Sequence, residues 1–101
     1  MAWHQILEMS ELAPGDMKAV QVEGLDIAIY RVGDDVYASQ GMCTHGDAIL
    51  ADGFLDGNEV ECPYHSGIFD VRTGEPLDGP VTVPLRVFSV RLENDFVFVK
   101  L

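Results

Sequence analysis

Two short runs in this chain pair a thiol with an imidazole: Cys43-Thr44-His45 and, after sixteen intervening residues, Cys62-Pro63-Tyr64-His65. They contain both cysteines of the sequence and two of its three histidines. Two thiolates and two imidazoles from two short loops can hold either a mononuclear metal ion or a two-iron cluster of mixed ligation. Zinc would be structural, whereas an iron–sulfur centre would carry electrons. Structural zinc loops usually group like ligands, as C-x2-4-C and H-x3-5-H. Here each loop supplies one sulfur and one nitrogen, which suits a two-iron, two-sulfide rhomb lying between the loops. Cys43 and Cys62 would take one iron, and His45 and His65 the other, with soft thiolate on the first and imidazole on the second. A disulfide is the competing use of the cysteines. The start of the chain, Met1 to Gln5, lacks the basic and apolar regions of a secretory signal, so a reducing, cytoplasmic setting is expected instead.

The elements that must position these loops read as strands. Lys18 to Glu23 and Asp26 to Val32 are β-rich runs broken at Gly24-Leu25, and Gly33-Asp34-Asp35 turns the chain into Val36 to Ser39. Near the end, Leu85 to Leu92 and Phe96 to Leu101 flank a turn at Glu93-Asn94-Asp95. Both faces of these last two runs are largely apolar, which predicts strands packed on two sides. His4 falls in a candidate first strand beside Trp3, at a surface or edge position. Ser10 to Ala13 can form one helical turn before Pro14-Gly15-Asp16 ends it. The middle, from about 41 to 80, holds seven of the ten glycines and both Cys/His pairs. It reads as a site-bearing insert on a rigid β scaffold.

At 101 residues the chain is expected to be a single domain, 1–101. Its net charge of −11 argues against nucleic acid and anionic membrane as partners, since both require a basic face. No apolar stretch approaches the length of a membrane span. The acidity serves solubility, or docking to basic patches on partner proteins. After two histidines are assigned to the cluster only His4 remains, too few for a mononuclear two-histidine, one-carboxylate iron site. Nor is there a G-x-G-x-x-G fingerprint for a dinucleotide. An electron carrier with no catalytic site of its own is the reading that follows.

Cys43-Thr44-His45-Gly46 together with Cys62-Pro63-Tyr64-His65-Ser66-Gly67 resembles the Rieske iron–sulfur signature, C-x-H…C-x2-H. The run Ile68 to Gly74 and the loop Gly79-Pro80-Val81 strengthen the likeness. Over its whole length the chain is similar to the Rieske [2Fe-2S] ferredoxins of bacterial aromatic-ring-hydroxylating oxygenase systems. The resemblance implies an all-β, Rieske-like antiparallel sandwich or barrel, with a glycine-rich cluster-binding subdomain inserted between strands. It implies one [2Fe-2S] cluster held by Cys43, His45, Cys62 and His65, with the histidine-bound iron outermost. It also implies a cytoplasmic monomer passing single electrons from an NAD(P)H-dependent flavoprotein ferredoxin reductase to a terminal Rieske oxygenase. The alternatives are a Rieske-type small subunit of a larger reductase, such as nitrite reductase, or a structural zinc module.

Departures from the high-potential respiratory members of the family bear on the potential. Those proteins carry an extra cysteine in each loop, where this chain has Ala48 or a neighbour, and Tyr64. They also place a serine and a tyrosine hydroxyl near the cluster sulfurs, where this chain has Gly67 and Phe69. Fewer donors leave the more negative reduced state less stabilised, so the expected potential lies near the bottom of the Rieske range, roughly −150 mV. Gly46 and Gly67 would let backbone N–H groups approach the sulfurs. Tyr64 and Phe69 could cover the cluster or sit in the core, with the core favoured for Phe69, and Pro80 could close a third side.

Overall fold

The structure, a computed structural model, describes residues 2–44, 48–64, 67–79 and 83–101. The outer parts of the chain form one antiparallel sheet of six strands: β1 (Trp3–Glu8), β2 (Met17–Val22), β3 (Leu25–Val32), β4 (Asp35–Gln40), β9 (Val87–Glu93) and β10 (Phe96–Lys100). Their order is β1-β10-β9-β4-β3-β2. Its edge strands β1 and β2 approach each other, so the sheet curls into a nearly closed barrel. His4 of β1 lies at this seam, half-buried, with Nδ1 4.0 Å from Glu23 Oε1. A second antiparallel sheet comes from the middle of the chain: β5 (Phe54–Asp56), β6 (Glu59–Glu61), β7 (Ile68–Asp70) and β8 (Pro76–Asp78), in that order. No α-helix occurs among the described residues. The all-β expectation holds, with a smaller glycine-rich sheet inserted between strands of the larger.

Local sequence explains the hairpins. Asn94 and Asp95 both adopt positive φ, 53° and 66°, and Glu93 pairs with Phe96 across them. A two-residue turn of this kind matches the twist of the flanking strands, and Asn and Asp tolerate it better than most residues. Between β2 and β3 the turn is Glu23-Gly24, one residue earlier than expected, because Leu25 already pairs with Val22. The helical turn is a 3₁₀ turn over Met9–Glu11, where the Glu8 N–H donates to Glu11 Oε2 at 2.7 Å.

β3 explains how one chain builds two cores. Side chains alternate across a strand. Ile27 and Ile29 enter the barrel core with Leu7, Leu12, Val36, Ala38, Val97 and Val99. Ala28 and Tyr30 face the other way and join Leu50, Val60, Phe69, Val71 and Leu85 against the second sheet. Two-sided burial therefore belongs to β3, not to β9 as the apolar pattern suggested. Along β9 only Phe88 and Val90 are half-buried toward the barrel core, while Val87 and Leu92 remain 39% and 44% exposed. On the face opposite Phe88 and Val90, Leu85 has left the strand for the second core. On β10, Val97 and Val99 are fully buried, and the opposite face is partly shielded by Arg91. Its guanidinium sits 4.7 Å from the Trp3 ring centroid and 5.4 Å from that of Phe98.

Candidate metal centre

Each cysteine stands at the base of a loop closed in the same way. The Cys43 N–H donates to the Ala48 carbonyl at 2.9 Å, and the Cys62 N–H donates to the Gly67 carbonyl at 2.8 Å. Both bonds span five positions, so the two loops are closed over the same length of chain. The first is supported by the bridge between Met42 and Ile49, and the second by the pairing of β6 with β7. A third segment is tied in by Thr44, whose hydroxyl donates to the Val83 carbonyl at 2.8 Å.

The thiols are buried, Cys43 to 5% exposure and Cys62 to 1%, and both belong to the core that holds Tyr30, Ala48, Leu50 and Phe69. They are not joined in a disulfide. Water is excluded from both sulfurs, and two separate loops deliver them into one apolar environment. Soft donors arranged in this way suit iron with inorganic sulfide. The other two candidate ligands, His45 and His65, lie outside the described residues, as do Gly46, Ser66, Pro80 and Val81.

Among the remaining expected residues, Phe69 is fully buried as a core aromatic. Tyr64 is 73% exposed, so it neither belongs to the core nor shields the thiols. Ala48 is fully buried beneath the first loop. Gly67 is engaged through its carbonyl, holding the Cys62 N–H.

Below the second loop, the chain turn after β7 is fixed by Asp70. Its Oδ1 accepts from the Arg72 backbone N–H at 2.9 Å and from Nε at 3.1 Å, and its Oδ2 accepts from Nη2 at 2.8 Å. The side-chain bonds from Arg72 hold the Asp70 carboxyl below its ordinary range, against a smaller opposing effect of burial. Gly74 then places its carbonyl to accept the Leu85 N–H at 2.8 Å, linking the second sheet to the segment that enters β9.

One feature near the thiols escaped the sequence reading. Tyr30 is fully buried and its hydroxyl lies 2.8 Å from Ser39 Oγ, which in turn donates to the Gln40 carbonyl at 2.9 Å. Burial pushes the Tyr30 phenol well above its usual pKa, Ser39 works against the rise, and the charge of Cys43 adds to it. The available signal was a hydroxyl in each of two otherwise apolar strand runs, at Tyr30 and Ser39.

The family described as Rieske [2Fe-2S] domain matches residues 2–89. The ferredoxin component of the naphthalene 1,2-dioxygenase system of Pseudomonas putida is 42% identical over 99 residues, covering 98% of this chain and 95% of that protein. Among solved structures, the complex of reduced oxygenase and oxidized ferredoxin in carbazole 1,9a-dioxygenase contains a chain 45% identical, with a TM-score of 0.92. The match covers 96% of this chain and 91% of that one. The ferredoxin of carbazole 1,9a-dioxygenase from Nocardioides aromaticivorans IC177 is 35% identical with a TM-score of 0.94, over 98% and 97% of the two chains. With two buried thiols at the bases of matched loops, and with this kinship along nearly its full length, the chain belongs to the Rieske [2Fe-2S] ferredoxins.

Proposed function

We propose that this protein is the ferredoxin of an aromatic-compound dioxygenase system, carrying single electrons from an NAD(P)H-dependent flavoprotein reductase to a terminal Rieske oxygenase. The observation that carries the reading is the pair of buried thiols, Cys43 and Cys62, at the bases of two loops whose sequences place His45 and His65 two and three positions further on. Kinship to ferredoxin components of dioxygenase systems supports the pathway, and the relative found in a complex with its oxygenase supports the partner. Cys43 and Cys62 would hold one iron of a [2Fe-2S] cluster, and His45 and His65 the other. When bound, the cluster supplies reversible one-electron transfer. The protein then works as a monomer of one domain in the cytoplasm; no helix among the described residues is long and apolar enough to cross a membrane.

The chain's own contribution is to shield, orient and tune. The apolar core around Cys43 and Cys62 keeps water from the thiolates. Ile49, Tyr64 and Val83, exposed beside the three loop segments, offer apolar contact to an arriving partner, and the acidic surface steers a basic one. Phe69, packed in the core, has no hydroxyl to donate to a sulfur. A midpoint potential of roughly −150 mV follows.

Purified protein tests this directly. Iron and acid-labile sulfide should be present at two each per chain, as a [2Fe-2S] centre requires. The dithionite-reduced protein should give a Rieske EPR signal, and His65→Ala should lose it. A colourless protein containing zinc and no sulfide would sink the electron-carrier reading, and a strongly positive midpoint would sink its low-potential assignment. In a reconstituted system, the reduced protein should be reoxidised by the oxygenase in the presence of an aromatic substrate and oxygen.

A further inference from the structure

Acidic residues outnumber lysine and arginine in this chain by 17 to 6, so a cation without an acidic neighbour is unexpected. Four of the six have such a neighbour. Lys18 lies 3.9 Å from Glu11, Arg31 3.7 Å from Asp34, Arg72 2.8 Å from Asp70 and Arg91 3.3 Å from Glu93. Arg86 and Lys100 have none within ion-pair distance among the described residues. Both line one groove of about 320 Å³ on the outside of the barrel, together with Val87, Phe88, Ser89 and Leu101.

Strand pairing brings the two cations together. Lys100 and Ser89 are cross-strand partners on β10 and β9, and both face away from the core that holds Val90, Val97 and Val99. Arg86 precedes β9, with its guanidinium 5.0 Å from the Phe88 ring centroid, and the Lys100 ammonium lies 5.9 Å from that of Trp3. The rings brace both cations without neutralising them. A groove with apolar walls and two cations suits a carboxylate carried beside an apolar side chain. It also adjoins the cluster-binding end. Gln40 donates its backbone N–H to the Arg86 carbonyl, accepts the Arg86 N–H at Oε1, and donates from Nε2 to the Met42 carbonyl beside Cys43, each at 2.8 Å. The exposed residues Val83, Pro84, Arg86 and Val87 lead from the segment tied to Thr44 into the groove.

We propose that this groove receives an aspartate or glutamate from an otherwise basic contact face of the terminal oxygenase, and so fixes the orientation in which the two proteins dock. The proposal rests on the electron-carrier reading above, and the exposed strip from Val83 places the groove inside the contact surface assigned there. A chain of net charge −11 is drawn to basic surfaces in many orientations. A local inversion of sign selects among them, because a partner patch without the matching inversion sets like charges against each other.

Calorimetric titration of the cluster-loaded protein into the oxygenase of the reconstituted system tests this. Arg86→Glu and Lys100→Glu make the chain more acidic, which steering by a basic partner alone predicts to tighten binding. The groove predicts the opposite: each variant should bind roughly tenfold more weakly, the scale of one close charge pair. Lys18→Glu changes the net charge equally, away from the groove, and should bind as well as wild type or better. The EPR signal and midpoint of all three should match wild type, which separates lost docking from lost cluster. In the wild-type complex, coupling with a water-soluble carbodiimide and peptide mapping should join Lys100, and not Lys18, to an oxygenase carboxylate. Undiminished binding by both groove variants would overturn the proposal, as would an equal loss in Lys18→Glu. A defect confined to reduction by the reductase would overturn the oxygenase as occupant. So would a wild-type dimer in sedimentation velocity that Lys100→Glu abolishes, which would assign the groove to a second copy of the chain. Wild-type protein lacking sulfide and the Rieske signal would remove the electron-carrier reading, and this proposal with it.

Discussion

The two cores of this molecule are built on opposite faces of β3, and they are held together differently. The barrel core is wholly apolar and is walled by strands of five to eight residues in a continuous six-stranded ladder. The second core contains both thiols and the Tyr30 hydroxyl, and its outer wall is a sheet of three-residue strands. Strands that short have few ladder bonds and little side-chain area of their own, so such a sheet is not independently stable. The contrast teaches that the scaffold holds itself, while the cluster-binding region depends on what the scaffold, the loops and the bound cluster add.

The largest test of that contrast is removal of the cluster. A group that binds only the folded form stabilises it by its binding free energy, and stability is distributed unevenly across a structure. In anaerobically prepared apoprotein, amide hydrogen exchange in β5 to β8 should speed up by roughly 100-fold or more, equivalent to about 2.7 kcal/mol. Protection in β3, β4 and β10 should change little. Equal loss in both sheets would mean that the two cores form a single cooperative unit.

Backbone fit distinguishes the regions at the next level. Gly33, in the β3–β4 turn, has φ of 63° but open space where a β-carbon would go. Gly74 has φ of 81°, and a β-carbon there would collide with the Leu85 carbonyl oxygen, the backbone of the segment it must hold. Gly33→Ala should cost about 1 kcal/mol from the left-handed conformation alone. Gly74→Ala should cost more, about 2–4 kcal/mol, because strain and a backbone clash add. It should also weaken cluster retention, as the Leu85 side chain belongs to the cysteine core. Urea unfolding and the loss of visible absorbance with time measure the two effects. Equal costs at the two positions would show that the joint at Leu85 yields easily.

The same contrast explains what could be read in advance. Turn chemistry marked the hairpins around the barrel, since Asn94-Asp95 and Gly24 adopt φ values that few residues accept, although the turn before β3 lies one residue earlier than its glycine signalled because Glu23 also takes a positive φ. The thiol–imidazole pairs marked the loops because metal ligation restricts residue type and spacing more tightly than packing does. The strands β5 to β8 were not legible, because three residues cannot display a period of two. Nor could the sequence tell β3 from β9. Both carry apolar residues on alternating faces, and only the position of the second sheet decides which strand is covered twice. The β1–β10 pairing and the Tyr30–Ser39 contact join residues that nothing local connects.

The smallest effect sits at the base of the second sheet and depends on pH. Arg72 lowers the folded-state pKa of Asp70, chiefly through its side-chain hydrogen bonds. A carboxylate with a depressed folded pKa contributes stability that is fully present above its unfolded value, near 4, and is lost as the pH falls through the folded value. Asp70→Asn removes that contribution, so it should destabilise the protein at pH 7 and matter progressively less below about pH 4. Because the Arg72 side chain is half-exposed and its charge is screened by water, the difference at pH 7 should stay under about 1 kcal/mol. Urea midpoints of the two proteins at pH 7 and pH 3 measure the change. If the gap between them fails to narrow at pH 3, Asp70 acts through the geometry of the turn and not through its charge. The second sheet would then rest on backbone fit and bound cluster alone.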